Sequence, residues 1–431
     1  MKIAMLTNNY RPFVGGVPIS VERQAQELVK LGHQVTVFAP MYEAENKTQE
    51  ENFREKLMEE DRKSPERVIR YRSQKKKMDN GMVYPAICPT EIFEVFERES
   101  FDRIHVHHPM FAGPWALWLG NKYRIPVIYT YHTRYEDYVH YIPCLRLTEG
   151  STAVKRKAVE WIQKSVIPSY MGWFCDRCDL VIAPSAGMSR IIRGYGVETP
   201  VAVLPTGLDG DFFRKDAGRS QEIREQYSRG KKHLLVTVSR LEEEKNYGFL
   251  LRGITELRHV MGDSFHVLII GDGSRRSELK VRASILGIQD VVTFVGNVPN
   301  DQVKDYLGAA DLFLFASKSE TQGIVLAEAL AAGTPVTALH AVGTDDIIED
   351  GVNGFLTEEK EAVWAAKAAE ALDEEVNRRM RRAALISAEN YRASRLAIRE
   401  EMLYNQCGFG KGDRFYETEE DYPERSAVAL H

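Results

Sequence analysis

Cysteine is scarce in this chain of 431 residues, and its five copies, Cys88, Cys144, Cys175, Cys178 and Cys407, are odd in number and scattered. That excludes a disulfide framework and fits a reducing compartment. The pair in CDRC has no second pair at zinc spacing, so it reads as two ordinary cysteines beside a buried helix. Long apolar runs are missing as well. None approaches the roughly 18 to 20 residues that span a bilayer, and the opening MKIAMLTNNY lacks the basic n-region and long apolar stretch of a secretory signal. A cytoplasmic location is the expectation. Short repeats and low-complexity tracts are absent, which leaves the acidic, polar tail after Gly408 as the candidate for disorder.

What is present is the composition of a soluble globular enzyme: 44% hydrophobic and 28% charged residues rule out a disordered or fibrous chain. At this length one ordinary core does not suffice, and two domains are expected. The net charge of -5 hides an asymmetry. Residues 1–200 carry 28 Lys and Arg against 24 Asp and Glu, whereas residues 201–431 carry 29 against 38. The positive half contains RVIRYRSQKKK (residues 67–77) and VKRKAVEWIQK (residues 154–164). Such runs meet phosphates or an anionic membrane surface, or they form a solvated helix face, and the sequence leaves both readings open.

Apolar, β-branched segments punctuate both halves. KIAMLT reads as a strand, NNYRPFVGGVPIS as a loop, residues 20–31 as a helix stopped at Gly32, and HQVTVFAP as the next strand. RIHVHHP, PVIYTYH and LVIAPS continue the series. After LPTGLDGDFF the pattern restarts with HLLVTVSR, a helix over residues 247–261, then HVLIIGDG, VVTFVG, LFLFAS and PVTAL. Strands this uniformly apolar belong in parallel sheets covered on both faces. The predicted fold class is therefore α/β, with two Rossmann-like parallel-sheet domains facing across a cleft, where ligands bind beyond the carboxyl ends of the strands.

Several motifs fall on that cleft. Gly15 and Gly16 follow a strand and precede a helix, where a bare backbone and free N–H groups can approach a phosphate. The dinucleotide fingerprint G-x-G-x-x-G is absent, and an ordinary tight loop remains the competing account. In VSRLEEEKN, Arg240 and Lys245 follow a strand end and suit a diphosphate, unless they merely pair with their acidic neighbours. SKSETQGIVLAEALAAGTP places Glu320 in a loop and Glu328 inside the helix predicted over residues 324–332. Eight residues of helix rise about 12 Å, roughly the span of a nucleotide sugar from hexose to ribose. A carboxylate accepts from vicinal sugar hydroxyls, and the amides of Thr321, Gln322 and Gly323 between the acids point at the same diphosphate.

Together the E-x7-E spacing, the Arg240/Lys245 pair, the GGV loop and LPTGLD resemble family 4 of the retaining glycosyltransferases, over about residues 1 to 400. YTYHTRYEDYVHYIP (residues 129–143) and ETQG are similar to the bacterial diacylglycerol glucosyltransferases. The resemblance implies the GT-B fold, with residues 1–205 as an acceptor-binding domain rejoined by a helix over 390–407. Residues 206–389 would be the donor-binding domain, and 408–431 an acidic tail. It implies that Arg240 and Lys245 hold the donor diphosphate, Glu328 the ribose, and Glu320 the transferred sugar with the Gln322 and Gly323 backbone. Gly16 would bring its amide to the phosphates, with Gly15 beside it. His132, which alone would read as a packed histidine, would contact the sugar near the reacting carbon.

The implied reaction moves a hexose, glucose favoured, from a UDP-sugar to a hydroxyl with the α configuration kept. The leaving phosphate takes the acceptor's proton. No cofactor and no essential divalent metal are expected, and the one D-x-D, Asp209-Gly-Asp211, lies in LPTGLDGDF rather than at a strand end. Expected partners are the nucleotide-sugar donor and a lipid or small-molecule acceptor, with an anionic membrane surface met by the N-terminal domain but no nucleic acid. The enzyme would lie peripherally on the inner membrane face through residues 152–178, where basic residues alternate with Trp161, Tyr170 and Trp173. The same apolar side chains would otherwise line the core. An epimerase of the same architecture and a non-catalytic nucleotide-sugar sensor are the competing readings.

Overall fold

In a computed structural model, the described residues are 1–408 without 14, 44–49, 78–81, 143, 144, 149 and 215. The first sheet contains β1 (Lys2–Leu6), β2 (Gln34–Pro40) and β3 (Arg67–Tyr71). A small antiparallel pair follows, β4 (Ser73–Lys77) with β5 (Val83–Pro85). The first sheet resumes with β6 (Arg103–Val106), β7 (Val127–Thr130), β8 (Leu180–Ala183) and β9 (Val201–Val203). The second sheet comprises β10 (His233–Val238), β11 (Phe265–Ile270), β12 (Val292–Gly296), β13 (Leu312–Phe315), β14 (Val336–Leu339) and β15 (Gly354–Thr357).

Both sheets are parallel. The first runs β3-β2-β1-β6-β7-β8-β9 and the second β12-β11-β10-β13-β14-β15. Register is set on both sides of the founding strands: Ile3 faces Val35 and Arg103, and Leu235 faces Val267 and Leu312. Central strands such as LVIA are buried at every position because helices cover both faces. Four apolar clusters result, one on each face of each sheet. Trp364 and Phe249 anchor one, Trp115 and Phe174 another.

The helix over residues 20–31 in the sequence reading starts earlier, at Gly16, and ends at Lys30 with Gly32 just beyond at φ +91°. Strands β3, β9 and β15, which the sequence reading did not name, each lie at a sheet edge, where short or charged strands discourage pairing with another chain. RVIRYRSQKKK is accordingly strand and not a helix face, and its three arginines are paired with acids. Arg70 lies nearly buried against Asp61 (2.7 Å), and Arg67 and Arg72 pair with Glu99 and Glu91. Cys175 and Cys178 are buried in the first core, as ordinary cysteines would be.

The chain returns to its origin at the end. Helix Ala393–Gln406 packs on helix Gly16–Lys30 and sends Leu396 and Tyr404 into the cluster around Ile3 and Val21. The two links between lobes run side by side: the Leu208 N–H donates to Tyr391 O at 2.6 Å, and the Ala393 N–H donates to Leu208 O at 2.9 Å. Gly207 is required there, since a Cβ would stand 2.4 Å from Ala393 Cα. The acidic tail proposed from the sequence lies, from residue 409 on, outside the described residues.

Candidate functional site

Each sheet has one point where the strand order reverses, between β1 and β6 in the first and between β10 and β13 in the second. Loops leaving such a point diverge and open a crevice, which is the ligand position of doubly wound sheets. The loop after β10 carries Arg240 and Lys245, and the loop after β13 carries Glu320 and residues 321–323. Gly15, Gly16 and His107 lie on the corresponding loops of the first sheet.

Lys245 Nζ stands 2.5 Å from Glu320 Oε1, with the two side chains only 10% and 20% exposed. Burial pushes the Glu320 carboxyl upward, but the Lys245 charge and hydrogen bond, with Ser317 and Arg240, outweigh it and hold the acid below its usual range. Burial likewise pulls Lys245 down, and Glu320 more than compensates, so its ammonium titrates above the usual value. Both groups are charged at neutral pH. Arg240 reaches Glu244 at 3.0 Å with half of its side chain exposed. Tyr138, from Tyr135–Tyr141 in the other lobe, sits within the field of Lys245, Glu320, Glu244 and Arg240.

Helix Ile324–Ala331 starts at Gly323, which takes φ +77° as the capping residue. Its neighbours are locked by side chains. Gln322 grips the Thr206 backbone from both sides, accepting from its N–H at 2.7 Å and donating to its carbonyl at 3.0 Å. Thr321 Oγ1 donates to His132 O at 2.9 Å, and Ser185 Oγ donates to Thr321 O at 2.7 Å. Among the described residues no group accepts from the N–H of Thr321, Gln322 or Gly323. The helix tip is thus held rigidly across the cleft with its donors available, which suits an anion.

Glu328 is nearly buried inside that helix and faces Arg23 of helix Gly16–Lys30, with Nη2 3.9 Å from Oε1. Arg23 also donates to Asp209 Oδ2 at 2.7 Å and to Gly207 O at 3.3 Å, and its guanidinium lies 5.2 Å from the Phe212 ring. Burial pushes the Glu328 carboxyl up to about 7, with Arg23 pulling it down and Asp209 pushing it further. An acid raised in the folded state binds its proton more tightly there than in the unfolded chain. Its stabilising contribution is full below the unfolded value near pH 4.5 and is lost as pH rises through about 7. Glu328→Gln is expected to remove that slope. Melting curves of both proteins between pH 5 and 8 should diverge by up to about 3 kcal/mol, with the wild type losing ground at high pH. Parallel curves would show that Glu328 does not titrate in this range.

His132 follows β7 and is partly buried, with Nε2 2.9 Å from His107 Nδ1 and its carbonyl on Thr321. Burial holds its pKa well below the ordinary histidine value. Gly16 opens helix Gly16–Lys30, and among the described residues nothing lies within 4 Å of where its Cβ would be, so its backbone is open to approach.

The site therefore joins Lys245, Glu320, Thr321 and His132 through direct contacts, with Arg240 nearby on Glu244, Gln322 and Gly323 at the helix start and Glu328 inside the helix. Two family models cover nearly the whole chain: "Glycosyltransferase Family 4" matches residues 14–212, and "Glycosyl transferases group 1" matches residues 219–386. An α-monoglucosyldiacylglycerol synthase of Streptococcus pneumoniae is 30% identical over 363 residues, 83% of this chain and 75% of that one. The chain is a family 4 glycosyltransferase. An α-monoglucosyldiacylglycerol synthase of Acholeplasma laidlawii is 27% identical over 84% of this chain and 86% of its own length. Among solved structures, Anabaena HepE in complex with UDP and glucose superposes with a TM-score of 0.69 at 18% identity, covering 94% of this chain and 99% of that one. The family 4 glycosyltransferase thus has the GT-B architecture, and it is a hexosyltransferase.

Four parts of this glycosyltransferase site were not readable in its sequence. Arg23 and Asp209 form the cross-lobe clamp on Glu328, Tyr138 enters from the other lobe, and Thr206 is the partner of Gln322. The fourth is the Gly271-Asp272-Gly273 turn after β11, which lies against the Arg240 loop. Only the last had a local signal, GDG at a strand end, where two glycines mark a close backbone approach.

Proposed function

We propose that this enzyme transfers a hexose, with glucose favoured, from a UDP-sugar to a hydroxyl of a lipid such as diacylglycerol, retaining the α configuration. The observation that carries this reading is the Lys245–Glu320 pair set beside the helix tip at residues 321–323, which puts a cation and free amides where a diphosphate would lie and an acid where a sugar would lie. Arg240, Lys245 and the amides meet the charge that grows on the leaving diphosphate. Glu328, reached by the ribose, accepts from its hydroxyls, and Glu320 from those of the hexose. In this reading the leaving phosphate takes the acceptor's proton on the same face. No divalent ion is required, and activity should persist in excess chelator.

The lipid acceptor is favoured by the two glycolipid-synthase relatives and by one face of the first lobe. Helix Ala153–Trp161 passes through a π turn, Ile162–Val166, into helix Ile167–Cys175. Val159, Met171, Phe174 and Cys175 turn inward to the core. Val154, Trp161 and Trp173 turn outward, 78%, 62% and 45% exposed, beside Arg156, Lys157 and Lys164. The stretch therefore lines the core with one face and leaves an exposed basic and aromatic face that would meet an anionic membrane surface. Among the described residues no helix is long and apolar enough to cross a membrane, so contact would be at the interface.

Incubation with UDP- and GDP-sugars and with diacylglycerol in phosphatidylglycerol vesicles should give a monohexosyl lipid from one donor, identified by mass. Transfer to soluble saccharides alone would replace the lipid reading, and an epimerised donor without acceptor would replace transfer itself. Neutralising Lys155, Arg156, Lys157 and Lys164 together is expected to weaken vesicle binding at low salt by about 100-fold or more, at roughly 1 kcal/mol for each charge near anionic lipid. Binding unchanged in a sedimentation assay would place the membrane surface elsewhere.

A further inference from the structure

His107 takes no part in the contacts proposed for the donor, yet it is wholly buried and bonded to a residue that does. Its ring stacks on His132 at 5.2 Å between centroids, and the His105 ring lies 4.2 Å away. Both nitrogens of His105 are occupied, Nδ1 by the Tyr404 hydroxyl at 2.6 Å and Nε2 by Thr130 Oγ1 at 2.7 Å. Among the described residues His107 therefore has one hydrogen-bond partner, His132, through Nδ1, and its Nε2 is buried without any.

That asymmetry fixes where the protons are. A neutral imidazole has one N–H and one lone pair. Were the proton of His107 on Nε2, a buried N–H would be left orphaned, the costlier of the two defects. On Nδ1 it makes the bond to His132, and only a lone pair goes unused. Burial and the surrounding imidazoles keep both His107 and His132 neutral. His132 Nε2 then accepts, so its own proton must reside on Nδ1. That nitrogen has no protein partner among the described residues and is not sealed from solvent.

We infer that His107 is a positioning residue that locks His132 into the Nδ1–H tautomer, so that His132 meets its ligand as a hydrogen-bond donor and not as a base. The inference rests on the proposed placement of the donor sugar beside His132. An N–H aimed at a sugar or phosphate oxygen stabilises negative charge there, whereas a pyridine-type nitrogen would repel it. It also leaves the acceptor's proton to the leaving phosphate, since His132 has no lone pair on the open side.

The test pairs kinetics with a readout that is independent of turnover. His107→Phe removes the donor to His132 and is expected to lower kcat by 10- to 100-fold with donor KM changed less than about threefold. His107→Asn supplies an amide N–H near the same position and is expected to recover most of the loss. In wild-type protein labelled with 15N-histidine, His132, assigned by comparison with His132→Gln, should show a pyrrole-type Nδ1 and a pyridine-type Nε2. A proton found on Nε2 of His132 overturns the inference, whether or not His107→Phe folds. So does His107→Asn activity as low as that of His107→Phe at equal thermal stability. The expected tautomer together with full activity in His132→Gln would instead remove the proposed placement of the sugar and leave the tautomer assignment standing.

Discussion

Lys245→Ala is expected to lower kcat/KM by about 1,000-fold and to destabilise the second lobe by roughly 3 to 5 kcal/mol, the cost of stranding a buried charge. Both effects have one origin. Glu320 is held ionised in a mostly buried place chiefly because the ammonium lies 2.5 Å away. Without Lys245 the diphosphate loses a cation and the carboxylate loses its counter-charge, so it must either take up a proton or open the loop to water. Lys245→Ala/Glu320→Ala should therefore be more stable than Lys245→Ala alone although equally inactive. Steady-state kinetics and thermal melts of the two single variants and the double variant check this cycle. A double variant less stable than either single one would mean that the pair does not couple.

Gly271→Ala should be nearly as damaging without touching any charged group. Gly271 adopts φ +123°, and a Cβ there would lie 2.0 Å from Ser239 O and 2.9 Å from Ser239 C, a collision with backbone that no rotamer relieves. Gly273 meets Leu241 in the same way, its Cβ 2.5 Å from Leu241 O. The two segments are also laced together, with Leu241 N–H donating to Asp272 O at 2.9 Å and Arg275 N–H to Leu241 O at 3.1 Å. The Ser239 strand end must move, and Arg240 moves with it. Positive-φ strain adds about 1 to 3 kcal/mol. The expected result is a loss of at least about 3 kcal/mol and a donor affinity reduced 10-fold or more, read by calorimetric titration with UDP. Gly210→Ala, whose Cβ would meet nothing within 4 Å, serves as a near-neutral control. Equal affinities for the two variants would contradict the proposed role of the GDG turn.

These two cases mark what a sequence reveals and what it hides. Strands such as HLLVTV and FHVLII are legible because burial on both faces of a parallel sheet demands uninterrupted apolar side chains. RVIRY is not, because an edge strand tolerates arginines, and here those arginines pair with Asp61 and Glu99. Arg240, Lys245 and Glu320 were identifiable as residue types in loops after strands, and Glu328 inside the helix that follows one. That Lys245 touches Glu320 across 75 positions follows only from β10 and β13 being neighbours, a fact of strand order and not of spacing. Arg23 was the hardest to see. It occupies the buried side of a helix among Val21, Ala25 and Leu28, and its partners Asp209 and Glu328 come from distant parts of the chain. His107 stood in plain view in HVHHP, but a histidine's proton is assigned by its neighbours, and those arrive through β6, β7 and the returning helix.

The paired links at Leu208 have a bearing on motion. Because both passages between the lobes are stitched to each other at one edge, and glycine at 207 leaves no slack between them, a swing of one lobe would be confined to a narrow pivot there. Displacement grows with distance from a pivot. The helix tip at residues 321–323, bonded through Gln322 to Thr206 beside that pivot, would then scarcely stir, while parts of the lobes farther out would open more widely.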